Sequence, residues 1–413
     1  MTPEESKIGG FFAIDRRTWE RVCGLGLNPA VAYLVLARGT ARNNRTTAWS
    51  VQAIENHTGV SRGRGKKATE VLIESGVVKR LRAGSVPQYD LLPWAEQGGS
   101  LPCRQHLSKR QQRVLETVSS STPVKDHDRN IAKALVRSGH LEQADDGSHT
   151  ICRRPEDQPD WIWLPNELVT GASGEIPPVE LVRQCQDPMT LRMLVDFYHA
   201  QNLREDGGVS RGITWQEFDR FELKRHSRFT VWGFRFKAAW VRRTGPAECH
   251  YRPEGDKKDA AVDFFRRQTQ LAQLGLVEWM PWLVESDLDD AELIHPVGLG
   301  KSDGLEDCLG LAAHEAGASM LTPAQLALAN DSHFAMVPVP RHIANVQLVG
   351  IARLRYRPRT KAAAAWWADM HQTCRRHLAQ YRELADEGQD RGCNIKGNQR
   401  GLKWASRLRQ RSY

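Results

Sequence analysis

The amino-acid sequence predicts an α+β protein, mainly helical, with several domains, short β-hairpins and one long helix near the C-terminus. Helical stretches recur between capping residues and glycines, and short alternating segments with turn residues follow several of them. The 413 residues are 40% hydrophobic and 26% charged, which is ordinary for a globular protein of about two to four domains. We expect domains at residues 1–95, 103–165, 166–300 and 301–413.

Several protein classes find no support in the sequence. No run of about 18 apolar residues suits a membrane span, and the N-terminus does not resemble a signal peptide, so a cytoplasmic, nucleoid-associated bacterial protein is expected. The eight cysteines contain no CxxC pair, so we expect free thiols. No metal site, cofactor site or Ser-His-Asp arrangement can be argued from spacing, so a non-catalytic protein is predicted.

Charge is distributed unevenly along the chain. The net charge is +9 overall, but residues 1–92 hold 14 Lys and Arg against 8 Asp and Glu, for a net +6. Residues 341–413 have a net charge of +11, and residues 274–333 have −10. Two basic ends around an acidic middle suggest one surface for nucleic acid and another for protein contacts or solvent.

The segment from Asn28 to Leu92 has the most regular pattern. Asn28 and Pro29 suit the start of a helix, and glycine in Thr58-Gly59-Val60 suits a tight turn with positive φ. The predicted elements are a helix Ala30 to Arg38 ended by Gly39, a helix Val51 to His57 capped by Ser50, a helix Arg62 to Ser75 capped by Ser61 and ended by Gly76, and strands Val77 to Leu81 and Gln88 to Leu92.

This order of helix, helix, turn, helix and hairpin resembles the winged helix-turn-helix superfamily, especially bacterial transcription regulators and phage or plasmid replication proteins. The resemblance implies that the third helix enters the major groove of double-stranded DNA. A module for protein contacts is the alternative, but the basic start of that helix favours DNA. The residues expected to contact DNA in this region are Arg42, Arg45, Ser61, Arg62, Arg64, Lys66, Lys67, Lys79 and Arg82.

Two residues depart from the common pattern of that superfamily. Glu55 stands where alanine is usual, and Gly65 stands where a branched apolar residue is usual. Gly63 and Gly65 each weaken a helix by roughly 1 kcal/mol relative to Ala. They either permit close approach to the DNA backbone or indicate that the helix begins near Lys66.

Two further winged-helix-like units are predicted. In residues 103–165, basic helix Leu107 to Val118, helix Asp128 to Ser138 and a hairpin from His140 to Cys152 suit either a degenerate winged helix or a plain helical domain with a hairpin. Trp161 to Pro165 suits a buried strand or a docking segment.

The third unit, in residues 166–300, would contain an aromatic and basic insertion. Its predicted parts are a helix Met189 to Tyr198, segments Trp215 to Phe221 and Ala260 to Leu274, and a wing from Leu276. The insertion, Arg228 to Lys237, alternates aromatic and basic residues. Such a pattern suits either stacking on opened DNA strands or, as we favour, a strand that packs a core.

The C-terminal region is predicted to hold a cationic edge strand, a long helix and a basic tail. The strand contains Arg353, Arg355, Arg357 and Arg359, which we expect to touch DNA phosphates. The helix, Ala362 to Asp386, has an apolar stripe suited to a core or to a homodimer interface. The tail after residue 395 is expected to stay flexible until it meets a polyanion.

Residues 286–333 predict a solvated acidic loop that is a candidate site for a protein partner. The string Asp287 to Asp290 also raises the hypothesis of a metal-dependent nuclease, which lacks a matching second motif.

Together these observations predict a non-catalytic protein that binds double-stranded DNA. A replication initiator or accessory factor of a mobile genetic element, such as a plasmid or prophage, is the favoured role. A transcription regulator with a C-terminal dimerisation or partner domain is the alternative, and a nuclease is the weakest hypothesis.

Overall fold

The computed structural model shows an α+β fold. It describes residues 10–40, 43–84, 87–97, 113–114, 117–118, 124–125, 128–137, 141–144, 148–151, 159–236, 242–244, 260–288, 291–298 and 303–390. Of these described residues, about 49% are helical and 25% lie in strands, which confirms the predicted α+β, mainly helical class. Among these residues, no helix is both long and apolar enough to cross a lipid bilayer.

The N-terminal part combines helices with a small antiparallel sheet. Its elements are β1 Phe11–Asp15, α1 Arg16–Gly24, α2 Leu27–Arg38, β2 Thr46–Thr47, α3 Val51–Thr58, α4 Arg62–Glu74, β3 Val78–Arg82 and β4 Gln88–Leu91. Strands β2, β4 and β3 form one sheet in that order, with β4 in the centre. Helices α2, α3 and α4 pack together around the fully buried side chains of Leu34, Ile54 and Leu72.

The turns after α3 and α4 form where the sequence predicts them. The Ser50 side chain accepts a hydrogen bond from the Gln52 amide at the start of α3. Gly59 and Gly76 follow α3 and α4 with φ values of 62° and 72°, a region that favours glycine because it has no Cβ atom.

The predicted capping roles of Asn28 and Ser61 are wrong. Helix α2 begins at Leu27, before Asn28, and the residue at its N-cap position, Gly26, has no side chain to form a capping hydrogen bond. Ser61 does occupy the N-cap position of α4, but its side chain makes no capping hydrogen bond.

The middle of the chain contains small elements around two cores. They are a 3₁₀ turn Trp94–Glu96, α5 Arg129–Arg137, β5 Leu141–Gln143, β6 His149–Ile151, β7 Trp161–Pro165, α6 Glu167–Thr170, α7 Pro178–Gln184, α8 Pro188–His199, β8 Gln201–Asn202, α9 Leu203–Asp206 and β9 Gly208–Val209. Helix α5 and the β5–β6 hairpin agree with the prediction and surround a small core that includes Ala132 and Leu141. The preceding helix predicted from Leu107 lies mostly outside the described residues.

One apolar core crosses the predicted domain boundaries at residues 95 and 165. Strand β1 pairs antiparallel with β7, and the same core contains Trp19, Ile162 and Phe197, all fully buried. The residues on both sides of these positions therefore contribute to one core. Sequence patterns could not reveal it, because the pairing joins residues about 150 positions apart.

An ion-pair cluster strengthens this connection. Arg16 Nε lies 2.7 Å from Asp160 Oδ2, and His199 Nε2 lies 3.3 Å from Asp160 Oδ1. Burial alone would raise the pKa of Asp160, but the hydrogen bonds and charges of His199 and Arg16 hold it well below its usual value. The carboxylate thus joins α1 and α8 at the start of β7.

The C-terminal part is a curved antiparallel sheet with helices against it. Its elements are β10 Thr214–Arg225, β11 Phe229–Phe236, β12 Arg242–Thr244, α10 Ala260–Gln273, β13 Val277–Val284, β14 Leu293–Pro296, α11 Leu305–Ser319, α12 Pro323–Asp331, β15 Ala335–Pro340, β16 Gln347–Leu354 and α13 Lys361–Asp390. The strand order is β14-β13-β16-β10-β11-β15, and β12 also pairs with β10.

This sheet contradicts the predicted third winged unit. The segment Trp215 to Phe221, predicted as part of that helical unit, lies in β10, where Thr214, Gln216 and Phe218 are buried at alternate positions. The predicted wing from Leu276 is instead β13, which pairs with both β14 and β16 inside the sheet. The aromatic and basic insertion forms β11 and packs the core, as we favoured.

The region near Arg353 also differs from prediction. Arg353 and Leu354 belong to β16, which pairs with β13 on one side and β10 on the other, so the predicted edge strand is wrong. Helix α13 is present, and its apolar stripe packs into the core of this same chain. A homodimer formed through this helix would have to use its opposite, exposed face. The stripe consists of Trp366, Trp367, Met370, Cys374, Leu378 and Tyr381.

The predicted acidic loop is largely folded. Residues 293–296 form β14, and residues 305–331 lie mainly in α11 and α12. Glu306 and Asp307 occupy the first turn of α11, where the helix dipole favours negative charge. Asp289 and Asp290, central to the nuclease hypothesis, lie outside the described residues.

Candidate nucleic-acid interface

Helix α4 presents a cationic face to solvent. Arg62, Arg64, Lys66 and Lys67 are all exposed. Within the described residues, these four side chains form no ion pair with a carboxylate. The face therefore holds four positive charges that no internal contact uses, and such charges attract a polyanion.

The buried side of α4 fixes the direction of this face. Ala68, Thr69 and Leu72 are buried as α4 packs on α2 and α3. A Cβ atom at Gly65 would lie 3.2 Å from Cγ1 of Val51 on α3. Glycine at this position thus lets the two helices approach closely. The structure also places the start of α4 at Arg62, so the alternative start near Lys66 is wrong.

The order of charges along α4 opposes the helix dipole. The four cations lie in the N-terminal half, no acidic residue lies in the first turn, and Glu70 and Glu74 lie toward the C-terminus. An exposed charge of the wrong sign near a helix end costs about 0.3–1 kcal/mol. Folding gains nothing from this order. A phosphate bound at the N-terminal end would interact favourably with both the cations and the dipole.

Ser61 adds polar groups at the same end of α4. It is exposed, and its backbone oxygen accepts a hydrogen bond from the Gly65 amide at 2.9 Å. Because its hydroxyl makes no capping bond, the hydroxyl and the first amide groups of the helix are open to a ligand.

Two arginines from outside hold the C-terminal ends of α3 and α4. Arg183 Nε on α7 donates to the Thr58 oxygen at 2.7 Å, and Arg21 Nη2 on α1 donates to the Ser75 oxygen at 2.6 Å. A cation at a helix C-terminus interacts favourably with the dipole and satisfies an unpaired carbonyl. These contacts orient both helices before any ligand binds.

The β3–β4 hairpin extends the cationic surface. Strand β3 follows α4 after Gly76 and contacts it, and Lys79, Arg80 and Arg82 are exposed. Arg80 was missed among the predicted contact residues. The run of basic residues beyond Val78 is the signal that could have identified it, because the hairpin leaves the core there.

Arg45 has a structural role in this region. Its guanidinium bonds Asp90 Oδ1 at 2.7 Å and Glu96 Oε2 at 2.8 Å, which links β2 to β4 and to the 3₁₀ turn. These hydrogen bonds raise the pKa of Arg45. The predicted DNA contact of Arg45 would have to compete with two carboxylates, and Arg42 lies outside the described residues.

Arg353 and Arg357 do not form the predicted cationic face. Arg353 is 6% exposed and bonds both oxygens of Glu306, at 2.5 and 2.7 Å, as well as Glu278. Burial alone would lower its pKa, but these carboxylates raise it. The guanidinium carbon of Arg357 lies 3.6 Å from the centre of the Trp367 ring. Burial and the nearby charge of Arg353 lower the pKa of Arg357 to about 10. The structure thus places both side chains in contacts within the chain.

Arg355 and Arg359 lie nearer the surface. Arg355 is half exposed but pairs with Glu175 at 2.6 Å, and the neighbouring Tyr356 hydroxyl donates to the same carboxylate. Arg359 is exposed before α13. Strand β16 and the residues after it thus join parts of the chain to one another instead of presenting a row of free cations.

Within the described residues, no group of three or more His, Cys, Asp or Glu side chains is placed to hold a metal ion. His295 is buried, with its Nε2 2.8 Å from the Tyr381 hydroxyl, and its burial lowers its pKa to about 3. It is therefore neutral and internally bonded.

Comparison with known proteins assigns no family to this chain. No family model matches it, and neither the curated proteins nor the solved structures include a significant match. Support for a function therefore comes from the charges and geometry of the α4 face and the adjoining hairpin.

Proposed function

We propose that residues Asn28 to Leu92 form a winged helix that binds double-stranded DNA through α4. The observation that carries this proposal is the row of exposed cations on α4, unpaired within the described residues and placed against the helix dipole. The order of helices and the three-stranded sheet β2-β4-β3 support the same arrangement.

In the proposed complex, the N-terminal half of α4 lies in the major groove, which is about 12 Å wide and admits a helix. Arg62 and Arg64 face base edges and phosphates there, because the start of a recognition helix is the part that reaches the bases. Lys66 and Lys67 neutralise phosphates along the groove wall. Arg21 and Arg183 keep the helices in place, so little ordering is needed on binding.

We further propose that the protein is a non-catalytic replication initiator or accessory factor of a mobile genetic element. The shared core supports this role, because it joins the α4 module rigidly to the middle of the chain instead of through a loose linker. The fixed attachment suits a protein that must position other surfaces relative to DNA. A transcription regulator is the alternative role.

Selection from a random pool of duplex DNA, followed by footprinting, tests both levels of this proposal. We expect enrichment of a defined duplex sequence and protection of several direct repeats. A single palindromic site would favour the transcription regulator. Failure of the full-length protein to retain any duplex at low salt would contradict DNA binding itself.

A further inference from the structure

The β3–β4 hairpin carries an exposed leucine that phosphate binding does not explain. Leu81 is 48% exposed. Among described residues 10–97 it is the only large apolar side chain that is exposed. Val78, at the start of β3, is buried, but the next four residues of the strand are all exposed. The outer end of β3 therefore projects from the core, with Leu81 on it.

A β-bulge sets Leu81 apart from the strand pairing. Arg80 pairs with Tyr89 and Arg82 pairs with Gln88, so Leu81 has no partner of its own across the ladder. Bulges bend a strand and redirect a side chain. Strand β3 also forms an edge of its sheet within the described residues, so Leu81 lies on an accessible strand.

The neighbours of Leu81 indicate which partner it suits. Arg80 and Arg82 are both exposed, and neither forms an ion pair within the described residues. The centres of protein–protein interfaces are depleted of Asp and Glu, so such a centre offers few carboxylates to pair with two guanidinium groups beside a leucine. Duplex DNA matches the pattern, because its apolar base stack lies between two rows of phosphates.

We infer that the outer end of β3 enters the minor groove beside the α4 site and that Leu81 inserts between two adjacent base pairs. This inference rests on the proposed function, since α4 occupies the neighbouring major groove of the same duplex. Arg80 and Arg82 bind the flanking phosphates. An inserted apolar side chain unstacks one base step and kinks the duplex toward the major groove. Pyrimidine–purine steps are favoured, because they unstack most easily.

The test compares wild-type protein with Leu81→Ala on the selected duplex. Energy transfer between dyes on the duplex ends reports bending, and 2-aminopurine placed at successive steps reports unstacking. Wild type is expected to bend the duplex and to brighten 2-aminopurine at one step. Leu81→Ala is expected to lose both signals and to bind about tenfold more weakly, as the contact of a buried leucine is lost. Leu81→Phe should retain both signals.

Leu328→Ala is the matched control, because Leu328 is also an exposed leucine, at 66%, but lies on α12. It should leave bending and unstacking unchanged. Unchanged signals in Leu81→Ala would overturn the inference. So would loss of the signals in both variants, or a change in oligomeric state of Leu81→Ala without a change in bending. Absence of duplex binding by wild type would instead refute the proposed function.

Discussion

Removing the cations of the α4 face should eliminate most of the affinity for duplex DNA. The variant changes Arg62, Arg64, Lys66 and Lys67 to Ala, all exposed and unpaired within the described residues. Each lost phosphate contact reduces the slope of log K against log salt by about 0.9, so four reduce it by about 3.6. At about 0.1 M salt, this corresponds to a loss of affinity of about 10³-fold to 10⁴-fold.

Fluorescence anisotropy of a labelled duplex over a range of salt concentrations measures both quantities. The matched control removes the same charge from exposed positions on α13, by changing Lys361, Arg375, Arg376 and Arg382 to Ala. This control should keep nearly the wild-type slope. Urea unfolding should show that the α4 variant is no less stable, because the changes remove cations that oppose the helix dipole. A wild-type slope in the α4 variant, or an equal loss in the control, would refute the reasoning.

Four other substitutions test contacts inside the chain. Gly63→Ala should raise the free energy of unfolding by about 0.5–1 kcal/mol, because a Cβ atom at Gly63 meets nothing within 4 Å. Gly65→Ala should not raise it, because a Cβ atom there meets Val51. Equal effects of the two substitutions in urea unfolding would contradict the packing at Gly65. Arg353→Leu should lower the free energy of unfolding by about 3 kcal/mol, because it leaves Glu306 unpaired. Its affinity for duplex DNA should be unchanged in anisotropy titrations. A weaker affinity would restore Arg353 as a DNA contact. The pKa of Asp160 is lower in the folded protein than in the unfolded chain, where it is about 3.9. The carboxylate therefore stabilises the fold at pH values above about 3.9, and this stabilisation is lost as the pH falls toward the pKa of the folded state. Asp160→Asn should therefore be less stable at pH 7 by urea unfolding, with the difference shrinking in acid; a difference independent of pH would count against this ion pair.

Local signals predicted the elements around α4 because neighbouring residues determine them. Ser50 and Gly59 bound the predicted helix Val51 to His57, and the structure has α3 at Val51–Thr58. Gly76 likewise ends α4 close to the predicted position. The exposed cations of α4 followed from the same pattern, since the apolar residues of the helix define its buried side.

The features of the fold that the sequence did not predict depend on contacts between residues far apart along the chain. In β10, Trp215 lies opposite Ile351 of β16. A local sequence pattern does not predict the pairing of two residues so far apart along the chain. Alternating arginines around Arg353 resemble a cationic strand, and only the position of Glu306 in the fold shows that Arg353 is buried and paired. The bulge that exposes Leu81 likewise depends on the register between β3 and β4.

Photocrosslinking from α4 tests the central claim most directly. Gly63 is the suitable position, because a side chain there has open space and lies among the four cations. A photoreactive amino acid at position 63 should crosslink to duplex DNA, and unlabelled duplex should suppress the product. The same group placed at exposed Lys361 on α13 should give little product. Crosslinks from position 361 but none from position 63, in a protein that binds duplex DNA, would contradict the assignment of α4 as the DNA-binding surface.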